Sequence, residues 1–177
     1  AKRLSTFIRE ETSQASAATA RIRMAVAKDD VPQCAMSSAL RTISNAWTTT
    51  GRFAGATAVC PFGCGAPAAD RFSHFPGCLS LREMWQEVCP SEAPFFRNLS
   101  LDQVTLTAPL MSPEETVMAI LWSDVVGHCL NDSRAAVPPH SVQGSRGKNM
   151  IIARLRFLGI QCERTRETIR SMRIQHF

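Results

Sequence analysis

The stretch Cys60-Pro-Phe-Gly-Cys64-Gly-Ala-Pro-Ala-Ala-Asp-Arg-Phe-Ser-His74-Phe-Pro-Gly-Cys78 decides how the rest of this chain is read. It has the form C-x3-C-x9-H-x3-C. Glycine and proline stand at 51, 55, 61, 63, 65, 67, 76 and 77, a density that no helix or long strand survives. Something other than a large core is therefore expected to order the segment. Zinc takes soft or borderline donors in a tetrahedron, and two close pairs separated by a loop can wrap one ion. Gly65, directly after Cys64, lets backbone amides turn toward a thiolate. The spacing predicts one structural Zn2+ held by Cys60, Cys64, His74 and Cys78. Three thiolates and a neutral imidazole leave such a site at net −1, which Arg71 or Arg82 is placed to offset. With every position filled by protein, no open coordination site is left for catalysis, so a non-enzymatic role is expected. The plainer alternative makes the cysteines small buried hydrophobes and His74 a surface residue.

Outward from this loop the pattern is helical. Residues 3–27 read as an alanine-rich helix with apolar points at Leu4, Phe7, Ile8, Ile22 and Val26, ended by Asp29, Asp30 and Pro32. A second helix is predicted from Pro32, capped by Asp30, with Met36, Ala39, Leu40, Ile43 and Trp47 facing the core. Ser80 with Glu83 predicts a capping box for a short helix anchored by Trp85 and stopped by Pro90. The strongest start signal is Ser112-Pro113-Glu114-Glu115, which opens a helix to about Ala136 with Val117, Leu121, Trp122, Val125 and Cys129 buried. Pro138, Pro139, Gly144 and Gly147 mark a linker. One or two basic helices follow, with Ile151, Leu155 and Leu158 on one face and Cys162, Thr165, Ile169 and Met172 on a second segment.

The predicted fold class is mainly α, a small helical domain organised around an irregular CCHC zinc-bound loop with long helical N- and C-terminal extensions. Its expected divisions are 1–30 as N-terminal extension, 31–136 as helical zinc-binding core, 137–147 as linker and 148–177 as basic C-terminal arm.

Composition sets the class of partner. Of the 177 residues 45% are apolar, which fits a globular chain and excludes wholesale disorder. No apolar run reaches the ~20 residues a membrane-spanning helix needs, since Asp124 and His128 interrupt Val117–Leu130. Residues 146–177 hold eight cations (Arg146, Lys148, Arg154, Arg156, Arg164, Arg166, Arg170, Arg173) against Glu163 and Glu167, a net of +6. Total net charge is +5, so the remainder sums to −1. Such an arm suits a polyanion, and Arg166, Arg170 and Arg173 would share one helix face able to neutralise phosphates without reading bases. The bland alternative is a solvated face paired with Glu163 and Glu167.

Seven cysteines, an odd number with three of them clustered beside a histidine, favour metal binding in a reducing compartment over disulfides. The Arg-, Ser- and Ala-rich opening is like an organelle transit peptide, but Glu10, Glu11, Asp29 and Asp30 break that pattern, and a retained helix is expected. Gly144-Ser-Arg-Gly-Lys148 lacks the first glycine and the final Ser or Thr of a phosphate loop. His128, His140 and His176 stand apart from any nucleophile motif.

Ala39-Leu-Arg-Thr-Ile-Ser-Asn-Ala-Trp-Thr-Thr-Thr-Gly-Arg-Phe53, the Cys60-to-Cys78 segment, and Ala119-Ile-Leu-Trp-Ser-Asp with Asn131 resemble the cysteine and histidine segment that follows the polymerase domain in non-LTR retroelement reverse transcriptases of protists. The resemblance covers about residues 36–136 and implies nucleic-acid binding by a domesticated fragment. It does not extend to the catalytic part, for no paired-aspartate polymerase signature is present.

The function expected from all of this is a non-catalytic, zinc-stabilised RNA-binding subunit of a large ribonucleoprotein, an organellar (mitochondrial) ribosome for instance, with rRNA and neighbouring proteins as partners and no small-molecule substrate. The rival expectation is a protein scaffold in a respiratory or ATP-synthase assembly, where exposed apolar residues meet other subunits.

Overall fold

A computed structural model describes residues 13–44, 46, 59–66, 72–135, 142 and 144–172. Among them every regular element is helical, and the Cys/His segment lies in an irregular loop, as the sequence predicts. The order is α1 (Ser13–Ala27), α2 (Gln33–Ile43), a 3-10 turn (Phe72–Gly77), α3 (Leu79–Val88), α4 (Ala93–Arg97), α5 (Leu101–Val104), α6 (Pro113–Ala135), α7 (Gly144–Gln161) and α8 (Glu163–Ser171). Leu4, Phe7, Ile8, Trp47 and Arg173, together with most of the 137–147 linker, lie outside the described residues.

Helix α6 is the axis. Ser112 and Glu115 form a capping box, the Glu115 amide donating to Ser112 Oγ at 3.1 Å and the Ser112 amide to Glu115 Oε2 at 2.8 Å. Every residue from Thr116 to Gly127 is buried, not only the predicted stripe. A helix apolar all round its circumference must be covered on all sides, and α1, α2, α5 and α7 do this.

Helix α2 meets α6 through Ala35, Ala39 and Thr42, small side chains that let the two axes come close. Of the predicted face, Ala39 is buried, Met36 and Ile43 are half-buried against the core, and only Leu40 among the described residues is exposed. Asp30 does not cap α2. The N-cap is Pro32, in extended conformation. Asp30 is drawn to a cation instead: its carboxylate accepts from Arg164 Nη1 at 2.8 Å, and its carbonyl accepts from Thr165 Oγ1 at 2.6 Å.

Helix α3 starts directly after Cys78, so the capping box expected at Ser80 does not form. The small helices α4 and α5 carry weaker signals. A second capping box, Ser100 with Gln103, opens α5. After it Leu106 is fully buried with φ of 60° and presents its carbonyl to Arg23 Nη1 at 2.8 Å, tying α1 to this turn.

Helix α7 begins at Gly144, ahead of the boundary read at residue 148, and packs on α3 and α6. At Gly147 the helix passes close to the Met84 thioether, and a side chain there would force that flexible methionine to move. Ile151, Leu155 and Leu158 of α7 and Thr165, Ile169 and Met172 of the α8 segment are buried, as their spacing predicts. Ser91 Oγ donates to the Met172 carbonyl at 2.5 Å, which fastens the end of α8 to the turn before α4.

Candidate metal centre

Two short pieces of backbone bring the Cys/His residues together. The first is a tight turn at Cys60–Gly63, closed by the Gly63 amide donating to the Cys60 carbonyl at 3.0 Å. Gly63 and Gly65 have φ of 75° and 74°, the left-handed region that side-chain-bearing residues avoid. These two glycines fold the chain back so that Cys60 and Cys64 face one point. The second piece is the 3-10 turn Phe72–Gly77, which presents His74 and delivers Cys78 to the first residue before α3.

All four candidate ligand atoms lie within 4.8 Å of one another. Cys60 Sγ and Cys78 Sγ are 3.6 Å apart, and Cys64 Sγ is 3.3 Å from His74 Nε2. Cys60 and Cys78 are buried, while Cys64 and His74 are partly exposed. Among the described residues these are the one cluster of this kind. Three sulfurs and an imidazole nitrogen form a soft donor set that can hold a metal ion.

The hydrogen bond from Cys78 is the largest influence on Cys60 and brings its thiol down to about 5 against the opposing effect of burial, with help from the amides of Phe62 and Cys64. Cys78 moves the other way, raised first by its bond with Cys60 and then by burial. Both shifts come chiefly from the close approach of the two sulfurs. Elsewhere burial, aided by Glu92 and Asp132 respectively, pushes the Cys89 and Cys129 thiols up to about 12, as befits packing residues.

A group of aromatics supports the cluster, which the sequence reading did not foresee. Phe62, Phe72 and Phe75 are all buried. Phe62 and Phe75 meet edge to face at 5.4 Å, and Phe72 meets Phe75 and Trp122 of α6, each at 6.5 Å. The glycine- and proline-rich loop therefore contributes to the main hydrophobic core and is not ordered by its polar ligands alone. The signal was present as three phenylalanines among the turn residues, with no periodicity to announce them. Further ties hold the loop. Val142 donates its amide to the Pro61 carbonyl at 2.8 Å, and Arg82 donates to the carbonyls of Pro76 (2.8 Å) and Leu99 (3.1 Å). Arg82 acts as a clamp beside the cluster; Arg71, the other suggested counter-charge, lies outside the described residues.

Four of the basic residues singled out at the C-terminal end meet carboxylates. Lys148 pairs with Glu87, Arg164 with Asp30, and Arg166 with Glu163 at 2.6 Å while also donating to the Gly159 carbonyl. Arg154 grips Asp124 of α6 through Nε at 2.7 Å and Nη2 at 3.1 Å, and its guanidinium carbon sits 4.6 Å from the Phe157 ring centre. Arg146, Arg156 and Arg170 are exposed.

No family model, no curated protein and no solved structure matches the chain.

Proposed function

We propose that this chain is a non-catalytic, zinc-organised RNA-binding protein that serves as a structural subunit of a ribonucleoprotein. Zinc is the ion that suits the cluster best: with Zn–S bonds of about 2.3 Å, a tetrahedral site has sulfur–sulfur edges of roughly 3.8 Å, close to the Cys60–Cys78 spacing. A site closed by four protein ligands supports folding, not a reaction. The zinc assignment is tested by metal analysis of the purified chain. One zinc per molecule is expected, with Cys64→Ser losing both the ion and the cooperative unfolding transition, and a native chain without metal would refute it.

The observation that carries the RNA reading is the exposure of Arg146 and Arg170, which stand at the surface of α7 and α8 while Lys148, Arg154, Arg164 and Arg166 meet carboxylates within the chain; Arg156 is exposed on the same arm. Exposed guanidiniums meet phosphates, giving affinity without base specificity. Affinity of the whole chain for an oligoribonucleotide, followed by fluorescence anisotropy, is expected to fall steeply with salt. Changing Arg146, Arg156 and Arg170 together to Glu is expected to abolish it; salt-independent binding would defeat the reading. The resemblance to the retroelement segment supports descent from a nucleic-acid-binding module, and a mitochondrial ribosome is the assembly we favour.

A second reading rests on different residues. Ile22 and Val26 of α1 are 65% and 60% exposed beside Met111 and Pro113, an apolar strip suited to a protein neighbour. Under that reading, Ile22→Asp with Val26→Asp releases the chain from a complex that survives nuclease.

A further inference from the structure

Helices α2, α6 and α7 enclose a polar cleft of about 280 Å³ that shares no residue with the Cys/His cluster. Its single carboxylate, Asp124, is almost wholly buried and has both oxygens occupied. Oδ1 accepts from Ser38 Oγ at 2.8 Å and from Arg154 Nη2 at 3.1 Å, and Oδ2 accepts from Arg154 Nε at 2.7 Å. A carboxylate so engaged has little left to offer a cation. What it does is hold the Arg154 guanidinium in one orientation at the cleft wall.

Across the cleft Arg41 of α2 contributes a second guanidinium, which has no carboxylate partner among the described residues. His128 and Asn131, three positions apart on α6 and both exposed, add a ring nitrogen and an amide on the same wall. Arg41 and Arg154 against Asp124 give the lining a net charge of +1. Guanidinium and amide groups dominate its remaining hydrogen-bonding capacity, and the Nη1 nitrogen of Arg154 takes no part in the Asp124 pair. A cleft that is positive, rich in donors and has one arginine fixed in advance is matched by a small oxyanion, because charge-assisted bonds to immobilised guanidiniums lose little entropy on binding.

We propose that this cleft is a phosphate-binding site, with Arg41, His128 and Asn131 contacting the oxyanion and Asp124 positioning Arg154 beside it. The phosphate can come from an RNA backbone or from a free phosphate or phosphomonoester. The site does not depend on the surface arginines of α7 and α8.

The test uses the full-length, metal-loaded, 15N-labelled chain. Inorganic phosphate is titrated at constant ionic strength against a chloride control, and an oligouridylate is titrated separately. Saturable phosphate shifts are expected at Arg41, His128, Asn131 and the Arg154 Nε–H. Arg41→Gln is expected to weaken phosphate roughly tenfold while the amide signals of residues 60–78 stay in place, which separates lost contact from lost fold. Competition between oligouridylate and phosphate at these signals identifies the RNA backbone as the source; saturable phosphate binding indifferent to oligouridylate identifies a small phosphate compound. Absence of saturable shifts, or unchanged affinity in Arg41→Gln, overturns the proposal. Oligouridylate that moves only the Arg146, Arg156 and Arg170 signals, with phosphate silent at the cleft, overturns it too and leaves the RNA reading standing.

Discussion

The Cys/His loop and helix α6 both send side chains into the core, yet they do so by opposite routes. Helix α6 makes its own backbone hydrogen bonds through the interior of its 23 residues and is covered by α1, α2, α5 and α7, of which α2 and α7 also supply Ser38 and Arg154 to its buried Asp124. The loop around Cys60–Ala66 has few internal backbone bonds, holds two left-handed glycines, and buries Phe62, which its own backbone cannot position. A regular element carries its order with it. An irregular one borrows order from elsewhere, here from the aromatics it sends into the core and, under the zinc proposal, from a metal cross-link through the sulfur and imidazole cluster.

Removing the cross-link should therefore have the largest consequence. Stripping the metal with a chelator, or Cys78→Ser, is expected to abolish the cooperative thermal transition seen by near-UV circular dichroism while most far-UV helical signal remains. In the same preparation, alkylation followed by mass spectrometry should label Cys60, Cys64 and Cys78 only after chelation. In the intact protein Cys89 and Cys129, whose thiols are raised to about 12, stay unlabelled near neutral pH, where too little thiolate exists to react.

Next come the aromatics that join the two regions. Phe75→Ala and Trp122→Ala should each cost about 3–5 kcal/mol in denaturant titrations. If the loop truly depends on α6, Trp122→Ala should also loosen metal retention, whereas a purely self-contained loop would keep its ion. Smaller again is Asp124→Ala, which leaves Arg154 without its buried partner. Because Arg154 still reaches water, about 2 kcal/mol is expected, below the figure for a fully enclosed pair. Last is Gly65→Ala. Nothing lies within 4 Å of the added methyl, so only the positive φ counts against it, at roughly 1 kcal/mol. A much larger loss would mean that the turn at residue 65 is more tightly bound to the ion than its open surroundings suggest.

The same contrast explains what the sequence revealed. Helix α6 was legible because Ser112, Pro113 and Glu115 are local start signals and its apolar content is dense; its complete burial was not, because covering by neighbours is a tertiary property. The four cluster residues were legible from spacing and glycine alone. Phe62, Phe72 and Phe75 were not, since aromatic residues in a turn-rich segment follow no period that would assign them to a core. Local rules also lost to longer-range partners at two predicted caps. Asp30 was taken by Arg164 and Thr165, and Ser80 was bypassed when Cys78 started the helix. The C-terminal cations showed as a run of charge, but which of them would meet a carboxylate depended on Asp124, Glu87 and Asp30, residues remote in the chain.

The clasp between Asp30 and the start of α8 spans 134 residues for Arg164 and 135 for Thr165. A chain made from its N-terminus leaves the tunnel with Cys60 to Cys78 well before Arg164. If the cluster holds zinc as proposed, a nascent chain can capture the ion, whereas the turn between α1 and α2 must wait for translation of α8 to finish before it finds its partner. Under that proposal metal loading precedes closure of the clasp, so a ribosome stalled between residues 135 and 163 would display a chelator-sensitive intermediate with α1 still unfastened.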